Sequence, residues 1–343
     1  MKSISIVTPC YNEEGNAEEL YKRVRDMMAR FPGYLYEHIF IDNCSRDRTL
    51  EILKGIAEKD RNVRIIANAR DFGPLRSPLY AIYQASGDAV IMMAADLQDP
   101  PELIADFIRL WEDGYPIVLA IKNTSRENKL MFQIRKAYYR LVNLLSSIQT
   151  FENFTGFGLY DRKVVEAIRS FRDPYPYFRG IIAEIGLPHA EVNFEQPTRK
   201  RGISSLNFYK LYDIGMLAIT NLSMVPLRIV TFFGFACSAL SIFLGVFYFI
   251  YKLLFWRNFS LGVAPAILGL FFFSSVQMMA LGIVGEYIGS ILRFVQNRPL
   301  VVERERVNFE FPPGAANTGN ESVRSRPLTG DDEEARAHAV PLK

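Results

Sequence analysis

In the run MetMetAlaAlaAspLeuGlnAspProPro, residues 92–101, an apolar strand end gives way at once to Asp96, Gln98 and Asp99. Carboxylate and amide oxygens are the ligands that hard divalent cations prefer, and Mg²⁺ or Mn²⁺ takes only one or two protein ligands when a diphosphate supplies the rest. Asp96 is the leading ligand and Gln98 stands beside it. The following prolines also read as a helix start, with Asp99 as N-cap and Pro101 near its first position, which leaves Asp96 and Gln98 for the metal. Two further clusters carry related groups. Pro9, Tyr11, Asn12, Glu13 and Glu14 offer an aromatic face for a base and polar groups for a nucleotide, while Asp42, followed by Asn43 and Ser45, can bond a base or a ribose. Taken singly, each cluster reads equally well as a capped helix or a turn. Their succession, one per strand-helix unit, points to phosphate chemistry at one place.

Positioning them requires strands that end just before each cluster. Short β-rich runs at 4–8, 38–41, 63–67, 89–93 and 117–121 alternate with helical patterns at 15–30, 47–59, 74–85 and 101–112. Such alternation predicts an α/β fold with a mostly parallel sheet. Ligands of such sheets bind beyond the carboxyl ends of the strands, which is where all three clusters fall.

The second half changes character. Residues 128–148 read as an amphipathic helix, with Ile134, Tyr138, Leu141 and Leu145 on one stripe and Lys129, Lys136 and Arg140 elsewhere. Residues 206–225 read as an interfacial helix with Lys210 and Asp213 its only charges. For both, packing against a core is the alternative. Two uncharged stretches of about 23 and about 28 residues follow, after Arg228 and after Asn258, each long enough for a hydrocarbon layer of about 30 Å. Two such spans form a hairpin within 226–298. Arg228, Arg293 and Arg298 lie at the ends that rejoin the soluble domain at 1–205, which places those ends and that domain on the cytoplasmic side of an inner membrane, although Lys252 and Arg257 weaken the asymmetry. Glu286, near the inner end of the second span, takes a structural reading. The extension 299–343 turns polar after Val302 and is expected to be disordered from about 309.

Composition narrows the function. A net charge of +3 over 343 residues, with no dense basic run early in the chain, argues against nucleic acid as partner. Cys10, Cys44 and Cys237 are too scattered for a disulfide framework or a zinc site. The N-terminal run does not read as a signal peptide, because polar and acidic residues follow it immediately.

The segments ThrProCysTyrAsnGluGlu, PheIleAspAsnCysSerArgAspArgThr, ArgAspPheGly and AspLeuGlnAspProPro, in this order, resemble the family 2 glycosyltransferases of GT-A fold. With two C-terminal spans the arrangement is similar to polyprenyl-phosphate glycosyltransferases of the GtrB and ArnC type, relatives of dolichyl-phosphate mannose synthase. The resemblance covers residues from about 3 to 305 and implies transfer of a hexose from a nucleotide sugar, UDP-glucose or a close relative, to a polyprenyl phosphate such as undecaprenyl phosphate. It implies nucleotide contacts at Pro9, Tyr11, Glu13 and Asp42, metal ligands at Asp96 and Gln98, and a diphosphate contact at Lys122. Arg135 matches an arginine near the acceptor phosphate. Arg199 matches the arginine of an Arg-x-x-Gly-x-Ser-Lys segment that meets the nucleotide and the acceptor phosphate.

Four positions depart from that pattern. Ala94 replaces the first Asp of a DXD motif, Asn43 a frequent second Asp, Ser205 a Lys, and Thr155, Gly156, Phe157, Gly158 the segment GlyAspPheArg. The last removes an Asp proposed in the family as base, which leaves Asp99, Glu152 and Asp161 as the alternatives. A phosphate monoester, with its second pKa near 6, is already an anionic nucleophile at neutral pH and needs no base. Asp96, Lys122 and Asp99 are therefore the expected catalytic set, acting by electrostatics and positioning with Mg²⁺ or Mn²⁺. Membrane lipids and further copies of the chain are the expected partners. The alternatives are a nucleotide-sugar-binding scaffold without turnover and a processive polysaccharide synthase.

Overall fold

Near-continuous runs of β-branched and other apolar residues, buried on both faces, make the central strands of this chain. The computed structural model describes residues 1–122, 151–197, 216–217, 220, 223–254 and 263–310. In chain order the described elements are β1 (Ser3–Cys10), α1 (Ala17–Met28), β2 (Leu35–Asp42), α2 (Thr49–Ala57), β3 (Val63–Asn68), α3 (Gly73–Gln84), β4 (Ala89–Met92), a 3₁₀ turn (Pro101–Leu103), α4 (Ile104–Glu112), β5 (Ile117–Lys122), β6 (Phe154–Asp161), α5 (Arg162–Ser170), α6 (Phe178–Ile185), β7 (His189–Phe194), α7 (Val225–Leu254), α8 (Val263–Gln296) and β8 (Glu303–Val307).

The strands form one sheet in the order β7-β5-β6-β4-β1-β2-β3-β8. Pairs β1–β2, β1–β4, β2–β3 and β5–β7 are parallel. Strand β6 runs antiparallel between β4 and β5, and β8 runs antiparallel along β3. Side-chain alternation feeds two apolar layers. Ile4, Ile6, Phe40, Ile65 and Ile91 pack against Leu20, Val24, Leu53 and Phe107 of α1, α2 and α4. On the opposite face Val7, Ile39, Ile41, Ile66 and Val90 meet Leu79, Ile82, Val165 and Ile181 of α3, α5 and α6.

All five expected strands and all four expected helices form, with ends that differ by up to three residues. The stretch 101–112 is the exception in kind, because its start is a 3₁₀ turn and the α-helix begins only at Ile104. Strands β6, β7 and β8 have no counterpart among the sequence-based expectations. The helices expected at 128–148 and 206–225, and the extension beyond residue 310, lie outside the described residues, apart from a few positions at 216–225.

Helices α7 and α8 contain spans, Val225–Leu244 and Phe272–Gln296, long and apolar enough to cross a membrane. Their flanks are open: Phe232, Phe235, Met278 and Val295 are all exposed. The Tyr287 hydroxyl of α8 donates to the Ser223 carbonyl at 2.6 Å, which sets the end of one helix beside the start of the other. After α8 the chain is tied back to the sheet. The Ala69 N–H donates to the Val302 carbonyl at 2.9 Å, the Tyr80 hydroxyl to Glu303 at 2.7 Å and Lys54 to Glu305 at 2.7 Å. Asn308 then donates to the carbonyls of Ala57 at 2.7 Å and Val63 at 2.9 Å.

Candidate active site

Three βα loops meet where the parallel strands end, and the first two are laced together by backbone donors. Past β1, the Asn12 N–H donates to Ser45 Oγ at 3.0 Å, the Glu13 N–H to Thr49 Oγ1 at 2.8 Å and the Glu14 N–H to Asp47 at 3.2 Å. In return Arg46 and Arg48 donate backbone N–H groups to the Asn12 and Glu14 side chains at 2.8 and 3.0 Å. Asn12 takes a positive φ of 58°, a conformation that suits asparagine, and so turns the chain after Tyr11. The lacing fixes Pro9 and Tyr11 beside Asp42. Glu13 is turned inward, where its carboxylate accepts from Asn16 at 2.6 Å at the head of α1.

Asp42 is fully buried at the tip of β2, and the Ser45 N–H donates to both of its oxygens at 3.2 and 3.3 Å. Burial raises its pKa, while the Ser45 bonds and the charge of Arg304 pull it back. Its neighbour Asn43 joins the second loop to the end of β3 and the turn that follows it. Asn43 Oδ1 accepts from Asn68 at 3.0 Å and from the Phe72 N–H at 2.9 Å, and its amide donates to Asp71 at 2.5 Å. An amide is the group that can donate to one side and accept on the other. A carboxylate at position 43 would confront Asp71, which gives the departure at Asn43 a local reason.

Past β4, the Gln98 N–H donates to Asp96 Oδ1 at 3.1 Å, closing a tight turn through Leu97, whose φ of 60° lies in the left-handed region. Asp99 does not cap the following helix as its sequence context predicts. Its carboxylate turns back and accepts from the Ala94 N–H at 2.8 Å, while no side chain caps the 3₁₀ turn. The left-handed Leu97 reverses the chain and sends Asp99 beneath the loop. There burial pushes its pKa up to about 7, with the nearby Asp96 charge adding to the rise. Gln98 is also engaged, since its amide donates to the Pro197 carbonyl at 3.3 Å. Asp161 serves a structural end: it accepts from the Lys163 N–H at 3.0 Å as the cap of α5 and from the Trp111 indole at 2.7 Å. Glu152 is exposed.

Lys122 closes β5, which lies parallel to β4 with β6 between them, so it stands on the same edge as Asp96. Two strand spacings separate the ends of β4 and β5, about 10 Å. The described residues contain no group of three or more His, Cys, Asp or Glu that could hold a metal ion. A divalent cation here would take Asp96 as its protein ligand, with the remaining oxygens coming from a diphosphate. Arg135 and Arg199 lie outside the described residues.

Residues 5–169 match the family described as glycosyl transferase family 2. An uncharacterized glycosyltransferase of Synechocystis is 32% identical over 316 residues, covering 90% of this chain and 97% of that protein. A prophage-derived bactoprenol glucosyl transferase of Shigella flexneri is 34% identical over 297 residues, covering 86% of this chain and 96% of the relative. This chain belongs to glycosyltransferase family 2. Among solved structures, the transferase has 19% identity and a TM-score of 0.43 to glucosyl-3-phosphoglycerate synthase from Mycobacterium tuberculosis, over 64% of this chain and 76% of that one.

The segment that departs most from the family pattern builds β6 of the transferase. Gly156 has a φ of 103°, and a Cβ there would come to 3.0 Å from Met92. A Cβ on Gly158 would collide with the Val118 carbonyl, so the small residues let β6 lie close between its neighbours. Thr155, at the ligand-bearing end of β6, has a buried hydroxyl with no hydrogen-bond partner among the described residues. The stretch at 174–178 packs: Phe178 meets Tyr160 edge-on at 5.3 Å. Beside it the transferase has a cavity of about 490 Å³, mostly apolar and lined by Tyr177, Ile181, Leu227, Tyr287, Ile291 and Phe294, where α6 meets α7 and α8.

Proposed function

We propose that the transferase moves glucose from UDP-glucose to undecaprenyl phosphate or a similar polyprenyl phosphate, at the cytoplasmic face of a bacterial inner membrane. One observation carries the reading. Strand β8 belongs to the same sheet as the donor-binding loops, yet reaches it only after two membrane-length helices, so the exit of the second helix is fastened to the domain that bears the site. An acceptor that is part lipid and part phosphate suits a site held in this way. The relatives named bactoprenol glucosyl transferases support the acceptor and the sugar. The apolar cavity at the junction suits an isoprenoid chain.

In this reading the donor lies along the strand ends, its nucleoside over Tyr11 and Asp42 and its diphosphate toward Asp96 and Lys122. A phosphate oxygen of the acceptor attacks the sugar anomeric carbon, a new C–O bond forms, and the bond from that carbon to the nucleotide diphosphate breaks with inversion. Asp96, with Gln98 beside it, would hold Mg²⁺ or Mn²⁺, which when bound supplies positive charge to the diphosphate. Lys122 adds a fixed cation on the same edge. Asp99 supports the Ala94 backbone from below and so holds the turn that presents Asp96. Arg135 and Arg199 are assigned to the phosphates.

The test is transfer of labelled glucose from UDP-glucose to undecaprenyl phosphate by the full chain in detergent, with and without EDTA. Label is expected in the organic phase, and EDTA is expected to abolish it. Donor binding without turnover across a panel of nucleotide sugars would replace this reading with that of a scaffold.

A further inference from the structure

Arg304 was not among the residues that motifs single out, and it occupies an unusual position in the sheet. In the antiparallel pair β3–β8, Ala67 faces Glu305 and Asn68 faces Glu303. One step on β3 thus spans two on β8, and Arg304 is the extra residue of a β-bulge. Bulges re-aim side chains and leave two successive residues on one side of the sheet. Glu305 bonds Lys54 of α2 on the α1–α2–α4 face while Glu303 bonds Tyr80 of α3 on the other, so Arg304 sits where β8 changes sides, next to the α1–α2–α4 face. Asp42, two residues beyond Phe40 of the apolar layer on that face, shares it. Asp42 is also opposite Ala67, the β3 residue at the bulge. Because β8 runs antiparallel to β3, its first residues lie at the edge where β2 and β3 end. The guanidinium is exposed, and its charge acts on the Asp42 carboxyl.

Along this edge the order is Arg304 on β8, Asp42 on β2, Tyr11 after β1, Asp96 after β4 and Lys122 on β5. The step from β2 to β4 covers about 10 Å, the length of a nucleoside, which puts the nucleoside end of the donor on the β2–β3–β8 side. We propose that Arg304 is a nucleotide-binding residue of the transferase, supplied by the strand that follows the membrane hairpin, and that it donates to an oxygen of the base or ribose held by Asp42. This rests on the donor reading given above. The strand that carries it is clamped by the bonds to Lys54, Tyr80 and Ala69, so the guanidinium is presented from a fixed backbone.

The experiment uses the full-length protein in nanodiscs, with UMP binding read by calorimetry and with KM and kcat for UDP-glucose. Arg304→Ala is expected to weaken UMP about tenfold, about 1.4 kcal/mol, and to raise KM similarly while kcat stays within about twofold. Arg304→Lys is expected to restore part of the affinity. Glu305→Ala removes the neighbouring clamp on the same strand and is expected to leave UMP binding unchanged. An Arg304→Ala protein that binds UMP as the unaltered chain does would overturn the assignment, and so would an equal loss in Glu305→Ala, which would mean strand docking alone. Weakened UMP binding in a protein that transfers no hexose would keep Arg304 in the nucleotide site and remove the transfer reading. Failure of the unaltered chain to bind UMP would overturn both.

Discussion

At the edge where the parallel strands begin, Glu37 is sealed against Arg64 and accepts from the Ser5 hydroxyl at 2.5 Å, from the Ser86 N–H at 2.7 Å and from the Ser86 hydroxyl at 2.9 Å. At the edge where they end, Asp42 and Asp99 are buried on backbone N–H groups of Ser45 and Ala94, and burial raises both. The first arrangement matches each buried charge with its opposite and leaves nothing for a ligand to do. The second buries two carboxylates with backbone N–H groups as their hydrogen-bond partners and no ion pair, at the strand ends where the donor is proposed to lie. Raised carboxylates gathered at strand ends mark a working site, whereas a compensated pair marks structure.

Glu37→Ala tests that contrast most severely. It strands Arg64 without its buried partner and is expected to cost about 3–5 kcal/mol, seen as a large fall in melting temperature or loss of folded protein. Asp96→Asn is expected to do the reverse, lowering kcat for glucose transfer by about 10²–10³ while the melting temperature holds, as removal of a key electrostatic group does. A variant that keeps full turnover would remove Asp96 from the metal site. Asn43→Asp would set a second carboxylate against Asp71 and is expected to destabilise by about 1–3 kcal/mol.

The smallest effect concerns His38, midway between the edges, whose Nε2 lies 2.9 Å from the Thr8 hydroxyl. Burial holds its pKa down to about 3, from an ordinary value of 6.5. The unfolded chain takes up a proton below about 6.5 and the folded chain does not, so stability present above that pH is lost as the pH falls toward 3. By about pH 5.5 the loss is on the order of 1 kcal/mol. A His38→Gln protein should show a flatter stability profile between pH 7 and 5, and an unchanged slope would exclude His38 as its source.

The strands that carry Pro9, Asp42 and Lys122, and the one that leads to Asp96, were legible because each is an apolar run that stops at a polar cluster. Helical stripes and the two long apolar segments were legible for the same reason, since their signals are local. The direction of Asp99 was not. The pair of prolines after it has the same local meaning whether the carboxylate reaches forward to a helix or back to Ala94, and the left-handed turn at Leu97 decides. Strand β8 hid for another reason. Four of its five residues are charged, as befits an exposed edge, and its partner β3 lies more than two hundred residues earlier. Arg304 depends on that distant pairing and on a bulge within it, and neither leaves a mark in nearby sequence.

Strand β8 has a consequence for biogenesis. The strands of the donor-side sheet leave the ribosome first, but β3 stays bare along one side until residues 303–307 emerge, after both long apolar helices. An open row of amide and carbonyl groups is a template for unwanted association. Nascent chains halted between α8 and residue 303 should therefore depend on chaperones, and a fragment cut before Val225 inherits the same raw flank.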